Sequence, residues 1–428
     1  MTDPDVIVIG AGAAGLTVAR DVTAAGMHVL LLEARDRLGG RIWTHHAADT
    51  PIELGAEFVH GVEEEILGVA RQAGLPVRET DRSAAPEPGE DSEPRPDFFS
   101  SLDVLLAHAS PAEDESFLHL VDRVDVDPAI KARALALVEG YHAADPATVS
   151  VQSLLINTAF DERPGAERQF RFARGYDGLV NALFEQAVRE RRTVRLSTVV
   201  IAVAWKPGQV VVRTVDGAEL TAPRVVITVP IGVLKAGAIA FSPALPDKEG
   251  AIRRIAMGPA ARVSLQFADE AWGGRAAFPA GGFLFTGEPP FPVWWISHPG
   301  PRPVVTGWTG GRRALALGAL EKDARVSAAV EGLGAALGMD ENRLRRGLLG
   351  GFTYDWQSDP FSRGAYSYAL VGGAHAGTEL SAPVDSTLFF AGEATQSDGR
   401  NATVHGAIAS GERTAKQVLA AVDARRGT

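Results

Sequence analysis

The stretch "DVIVIGAGAAGLTVARDVTAAGMHVLLLEA" near the start of the chain leaves little freedom over what it can fold into. Val6 to Ile9 is an apolar run of the kind that fills a buried parallel strand. Gly10, Gly12 and Gly15 follow it in G-x-G-x-x-G spacing. The first permits a tight turn, the second lets backbone approach a pyrophosphate, and the third lets helix and strand pack closely. Residues from Leu16 to Ala25 are helix-compatible, Gly26 ends them, and a second apolar strand, "HVLLLEA", runs into Glu33. That acid stands about 20 residues beyond the glycines, where a carboxylate accepts ribose hydroxyls. The order predicts a Rossmann-type α/β unit whose helix N-terminus faces the phosphates of a dinucleotide.

The residues that follow, "EARDRLGGR" (33–41), separate FAD from a nicotinamide cofactor, which needs nothing particular there. A second glycine turn carries Arg37 and Arg41. Paired glycines let main chain pass close to a ligand, and arginine pairs well with pyrophosphate oxygens. The turn therefore reads as a second clamp on an extended dinucleotide, the alternative being a surface turn with a solvated arginine pair.

At 428 residues the chain is long for one core and suggests two domains. A formal charge of −11 argues against nucleic acid as a partner and mildly favours cationic small molecules. There are no cysteines, which removes disulfides, thiolate metal sites, cysteine nucleophiles and a cysteinyl cofactor link; no metal is expected. The first strand begins at Val6, with no room ahead of it for a signal peptide, and no run approaches the roughly 18–20 apolar residues of a membrane span. The expected setting is the cytoplasm, without a membrane partner.

"GAGAAGL…LLLEARDRLGGRIWT", followed by "ELGAEFVHG" (53–61), resembles the N-terminal FAD signature of the flavin amine oxidases. That family includes monoamine, polyamine and L-amino-acid oxidases and lysine-specific histone demethylases. Further matches lie in order at "VITVPIGVLKAG" (226–237), "WQSDPFSRGAYS" (356–367) and "LFFAGEATQSDGRNATVHGAIASGERTA" (388–415). The resemblance implies a p-hydroxybenzoate-hydroxylase-like topology, in which a Rossmann-type FAD domain carries an inserted α+β substrate domain. The expected division is an FAD domain from 1–80, 191–240 and 376–428, a helical insertion over 81–190, and a mixed sheet over 241–375. The β-branched runs of 194–230, broken by "KPGQ" and "VDGAE", read independently as strands and hairpin turns. The acidic, proline-rich 81–97 reads as a mobile surface loop. Either a monomer or a homodimer is compatible with the sequence.

The resemblance also implies residue roles. Glu33 holds the adenosine ribose, with Ala34 and Arg35 beside it, and Gly40 and Arg41 lie near the pyrophosphate. Gly55, Ala56, Glu57 and Phe58 run beside the flavin ring, and Val200 touches adenine. Gly392 and Glu393 meet the ribityl chain. Ala402, Thr403 and Val404 bring a helix-start amide to the pyrimidine oxygens, where it stabilises charge on reduced flavin. The triplet that carries a flavin-linked cysteine in some members is Gly364–Ala365–Tyr366 here, so FAD is expected to be non-covalent.

The implied reaction moves a hydride equivalent from the C–H beside an amine nitrogen to flavin N5. The imine hydrolyses to a carbonyl plus amine or ammonia, and oxygen reoxidises the flavin with release of hydrogen peroxide. Tyr366 matches one wall of the family's aromatic cage, Thr403 replaces the second cage tyrosine of monoamine oxidases, and Trp356 lies beside the flavin. His60 matches a pocket histidine of polyamine oxidases, able to bond a substrate nitrogen or relay a proton. Phe172, Trp294 and Trp295 are pocket candidates by region, and Arg171 would bind a carboxylate in an amino-acid oxidase. Arg262 stands where many members carry a lysine tied to oxygen use, a non-conservative exchange that brings fast oxygen use into question. It could instead bind a substrate carboxylate. The reading is thus a polyamine-oxidase-like enzyme acting on a small amine. The rivals are an L-amino-acid oxidase, a same-fold FAD dehydrogenase or desaturase using another acceptor, and a non-catalytic flavin-binding module.

Overall fold

The computed structural model describes residues 3–80, 84–85, 100–110, 112–268, 282–298 and 302–426. Its centre is a five-stranded, all-parallel sheet. Val6–Ile9 lies in the middle, flanked by Val29–Leu32 and Val225–Ile227, with Leu388–Phe390 and Arg192–Arg195 at the edges. Side chains alternate across this sheet, so Val6 and Val8 face one apolar cluster while Ile7 and Ile9 face another. Both faces are covered, which is why Val6–Ile9, Val29–Leu32, Val225–Ile227 and Leu388–Phe390 read as unbroken apolar runs, unlike the partly exposed edge strand Arg192–Arg195.

On the first face pack the helices Ala13–Ala24, Asp177–Gln186 and Val404–Arg426, the last crossing the helix that follows the glycine turn. Asp177–Gln186 belongs in sequence to the stretch read as a helical insertion, yet Leu179 and Leu183 are buried in this cluster. On the second face lies a four-stranded sheet of Val200–Lys206, Gln209–Thr214, Glu219–Ala222 and Ala240–Ser242. Its two hairpins turn at "KPGQ" and "VDGAE", as the sequence predicts.

A separate six-stranded sheet is built around Ala260–Phe267, all of whose residues are buried, between Val304–Gly310 and Leu348–Phe352. The helices Gly311–Gly318, Lys322–Leu337 and Glu341–Gly347 cover it. A fourth cluster gathers the helices Ser100–Leu106, Phe117–Arg123, Pro128–Gly140 and Val151–Asp161. Most of 81–97 lies outside the described residues, but Ala84–Ala85 forms a short strand parallel to Phe283–Leu284, which the loop reading of that stretch did not anticipate. Among the described residues no helix is long and apolar enough to cross a membrane.

Candidate active site

A cavity of about 810 Å³ starts at Gly10 and Glu33 and continues to Tyr366 and Trp308. At its first end, a Cβ on Gly15 would sit 1.9 Å from the Gly10 carbonyl oxygen, so only glycine allows the helix Ala13–Ala24 to start so close to the strand. No side chain caps that helix at Gly12 and its first turn carries no acid, leaving its N-terminal amides toward an anion. Glu33 is buried and accepts from the Ala11 amide at 2.8 Å and the Arg35 amide at 2.9 Å. These features fit the phosphates and a ribose of a dinucleotide.

The second glycine turn is joined to the first. Gly39 and Gly40 both have positive φ, and the Gly39 amide donates to the Ala11 carbonyl at 2.9 Å. The arginines are engaged inside the protein. Arg37 donates to the carbonyls of Leu38, Gly40 and Ile42 and lies 4.3 Å over the Trp43 ring, which fastens its own turn. Arg41 donates to the Ala365 carbonyl at 2.9 Å and to Glu393 at 2.8 Å. Glu393 also accepts from Ser367 Oγ and from the Ala402 amide at 2.9 Å. Arg35 reaches Asp359 at 2.7 Å, and Asp359 accepts in addition from the Tyr354 hydroxyl. The two glycine turns are thus joined through backbone, and the arginines hold the surrounding segments together.

Beside Gly55 and Ala56 lies a buried ionic triad. Glu57 accepts from Arg262 Nη2 at 2.6 Å and Trp295 Nε1 at 3.0 Å, and pairs with Arg171 Nε at 3.2 Å. Arg262 Nη1 donates to the Gly55 carbonyl at 2.9 Å. Burial opposes ionisation of Glu57, but the two guanidiniums outweigh it and hold the carboxyl below its ordinary range. Arg171 and Arg262 are 4% exposed and share one carboxylate; Arg262 lines the cavity, and Arg171 stands behind Glu57. Four residues upstream, Glu53 accepts from the Tyr176 amide and Thr44 hydroxyl, both at 2.8 Å, and burial pushes it up to about 8.

The far end is aromatic. The register of Ala260–Phe267 with Val304–Gly310 sets Trp308 directly opposite Arg262. The Trp308 ring is parallel to that of Tyr366, with centroids 6.5 Å apart. Tyr366 donates its hydroxyl to the Tyr141 carbonyl at 2.6 Å, and burial raises its pKa, so the phenol stays protonated. Phe58, Phe283 and Trp295 form a triangle with centroids 5.5–5.6 Å apart, and Arg171 stacks over Phe58. His60 lies 5.9 Å from Phe58 and 6.2 Å from Tyr141, ring centre to ring centre.

The other expected residues divide clearly. Ala34, Gly40, Val200, Trp356, Gly392 and Val404 line the cavity, and Trp356 Nε1 donates to the Leu54 carbonyl at 2.8 Å. Thr403 lines it too, but its hydroxyl accepts from the Gly406 amide at 2.9 Å and donates to the Arg400 carbonyl at 2.7 Å. It is the N-cap of Val404–Arg426, approached through Ala402 at φ 65°. Of the three regional candidates only Trp295 reaches the cavity. Trp294 is buried behind the sheet against Phe291, and Phe172 packs on Tyr176. Sequence reasoning missed Trp308, Tyr141 and Phe283, which sit in no motif; strand pairing with "ARVSLQF" and "FPVWWIS" was the available signal for Trp308 and Phe283.

Similarity to known proteins agrees with this arrangement. The model of the family described as "Flavin containing amine oxidoreductase" matches residues 13–94 and 104–419. Polyamine oxidase 2 of Arabidopsis thaliana is 30% identical over 466 residues, covering 99% of this chain and 88% of that protein. Lysine-specific histone demethylase 1 homolog 1 of the same plant is 28% identical, covering 97% of this chain and 52% of that protein. Among solved structures, putrescine oxidase bound to putrescine gives a TM-score of 0.80 at 21% identity, covering 98% of this chain and 99% of that one. Cyclohexylamine oxidase from Brevibacterium oxydans also gives 0.80 at 21% identity, covering 99% and 100%. Both structures bear on the fold, which is this one.

Proposed function

The chain belongs to the flavin-containing amine oxidoreductases, and we propose that it oxidises a small amine at the aromatic end of its cavity, with oxygen as the electron acceptor. FAD-dependent amine oxidation is the family's chemistry; the site roles and the acceptor are the proposal. The observation that carries it is one cavity running from Gly10 and Glu33 to Tyr366 and Trp308. When bound, FAD accepts the hydride equivalent from the C–H beside the substrate nitrogen.

The chain's own residues bind, orient and exclude water. Glu33 takes the adenosine ribose, the helix N-terminus after Gly12 the pyrophosphate, and Val200 the adenine. Glu393, held by Arg41, meets the ribityl chain, and Trp356 and Gly55–Phe58 border the ring. Tyr366 and Trp308 are walls: their faces tolerate partial positive charge on the substrate, and Tyr366, protonated and bonded to Tyr141, takes no proton from it. His60 bonds the substrate nitrogen. The imine then leaves to hydrolyse to a carbonyl compound.

The same proposal assigns the flavin domain to 1–80, 191–240 and 376–428 together with the helix Asp177–Gln186, and the substrate domain to the rest of the described residues of 100–176 and 241–375. It puts the enzyme in the cytoplasm, which a cysteine-free composition suits. The test of the acceptor is to bleach the flavin anaerobically with an amine and then admit air. Prompt recovery of colour with stoichiometric hydrogen peroxide is the expected result. Colour that returns only on adding a quinone or a ferricenium dye would refute oxygen as the acceptor.

A further inference from the structure

Charge is balanced differently at one point of the cavity. Among the described arginines that line it, Arg35 and Arg41 each have an acid of their own, Asp359 and Glu393. Arg313 and Arg363 line it too, but they are exposed, where water and salt screen their charge. Arg262 is buried and shares the Glu57 carboxylate with a second buried guanidinium, Arg171. Glu57 is ionised, since the two cations outweigh the cost of its burial. Burial works against the charge on Arg171, yet a guanidinium stays protonated at neutral pH. Glu53, four residues before Glu57, is pushed up to about 8 by burial and offsets little at neutral pH. Two guanidiniums and one carboxylate therefore leave one net positive charge.

That charge is fixed in place. Arg262 is tied to the Gly55 carbonyl at 2.9 Å, Arg171 to the Ile296 carbonyl at 2.8 Å, and Glu57 to Trp295 Nε1 at 3.0 Å. Its position is where the dinucleotide half of the cavity meets the aromatic half. A Cβ on Gly55 would lie 1.9 Å from the Arg41 carbonyl oxygen and 3.2 Å from the Trp356 ring, while Trp308 stands opposite Arg262 in the sheet. A buried, immobile charge acts over distance with little screening and without reorganising when a neighbour changes charge.

We infer that Glu57, Arg171 and Arg262 together set the electron affinity of the bound flavin: their net positive charge favours the negative charge that reduction leaves on the ring, and Glu57 fixes how large that positive charge is. The inference rests on the amine-oxidation reading, in which Gly55–Phe58 border the ring, and deepens it by naming residues that set the driving force for taking a hydride from the substrate. Their action requires neither a proton transfer nor contact with the amine.

The test is the two-electron reduction potential of the FAD-loaded enzyme, read during slow anaerobic reduction against a reference dye. A unit charge about 10 Å from the ring, at an effective dielectric constant of about 20, changes the reduction constant roughly tenfold, or about 30 mV for a two-electron couple. Arg262→Met, which removes the excess charge, should lower the potential by that much. Glu57→Gln, which doubles the excess, should raise it by a similar amount, and Arg262→Lys should stay near wild type. Loosened packing would move Arg262→Met and Glu57→Gln in the same direction, so opposite shifts report charge; either variant alone fixes the sign should the other fail to load FAD. Unchanged potentials, shifts in one direction, or Arg262→Lys behaving like Arg262→Met overturns the inference. Opposite shifts in a flavin that no amine bleaches would uphold the electrostatic role and overturn the amine-oxidation reading.

Discussion

Replacing Glu57 by Gln removes charge from the triad and almost nothing else. The carboxylate faces Arg262 at 2.6 Å and Arg171 at 3.2 Å, and all three side chains are 4–5% exposed. Removing one partner of a buried ion pair costs about 3–5 kcal/mol, because the remaining charge stays desolvated. Here two guanidiniums lose their shared counter-ion, so the upper part of that range applies, tempered by the hydrogen bonds Arg262 keeps to Gly55 and Arg171 keeps to Ile296. With an unfolding entropy near 2 cal/mol/K per residue, a 428-residue chain should lose roughly 4–6 °C in Tm. The assay is thermal unfolding followed by flavin fluorescence, at one fixed excess of FAD because cofactor binding itself shifts Tm. A triple replacement by Met, Leu and Met at 171, 57 and 262 should recover most of the loss, since it buries no charge. A drop below about 1 °C in Glu57→Gln would show that water reaches the triad and that the electrostatic account of it is wrong.

Two further substitutions probe neighbouring groups. Glu53, at about 8 in the folded protein against 4.5 ordinarily, holds a proton that the unfolded chain releases. Its contribution is fully present below pH 4.5 and is lost as pH rises through about 8, an interval worth roughly 5 kcal/mol. Glu53→Gln should therefore flatten the decline of Tm between pH 5 and 8.5, and an unchanged slope would contradict it. Thr403→Ala removes the cap of Val404–Arg426 and should cost about 1 kcal/mol, whereas Thr403→Ser should retain most of it. Chemical denaturation of the two variants side by side checks this, and equal losses would mean that the hydroxyl does not cap the helix.

The fold was legible wherever a segment's burial is set locally. Val6–Ile9, Val29–Leu32 and the two hairpins of 200–222 fall where apolar runs and turn residues put them. The glycine cradle was legible for the same reason, since Gly15 and Gly39–Gly40 are dictated by backbone geometry. Side-chain partners were not. The contacts of Arg37 with backbone carbonyls and of Arg41 with Glu393 could not be read from the sequence, because an arginine's reach lets tertiary neighbours choose its partner. Arg171 and Arg262 come from different sheets and meet only through Glu57, so no local pattern announces the triad. Thr403 sat at a position read for its side chain toward substrate, while its hydroxyl is used by the helix it starts. Trp308 escaped notice because "GWTGG" matches no motif; only its register opposite Arg262 brings it to Tyr366.

The most direct test of the central claim is anaerobic mixing of the FAD-loaded protein with monoamines, diamines and longer polyamines while the oxidised-flavin absorbance is followed. Bleaching by at least one amine, slowed by Tyr366→Ala or Trp308→Ala, is the result expected if substrate nitrogen is oxidised between those rings. A flavin that dithionite reduces but no amine bleaches would contradict it.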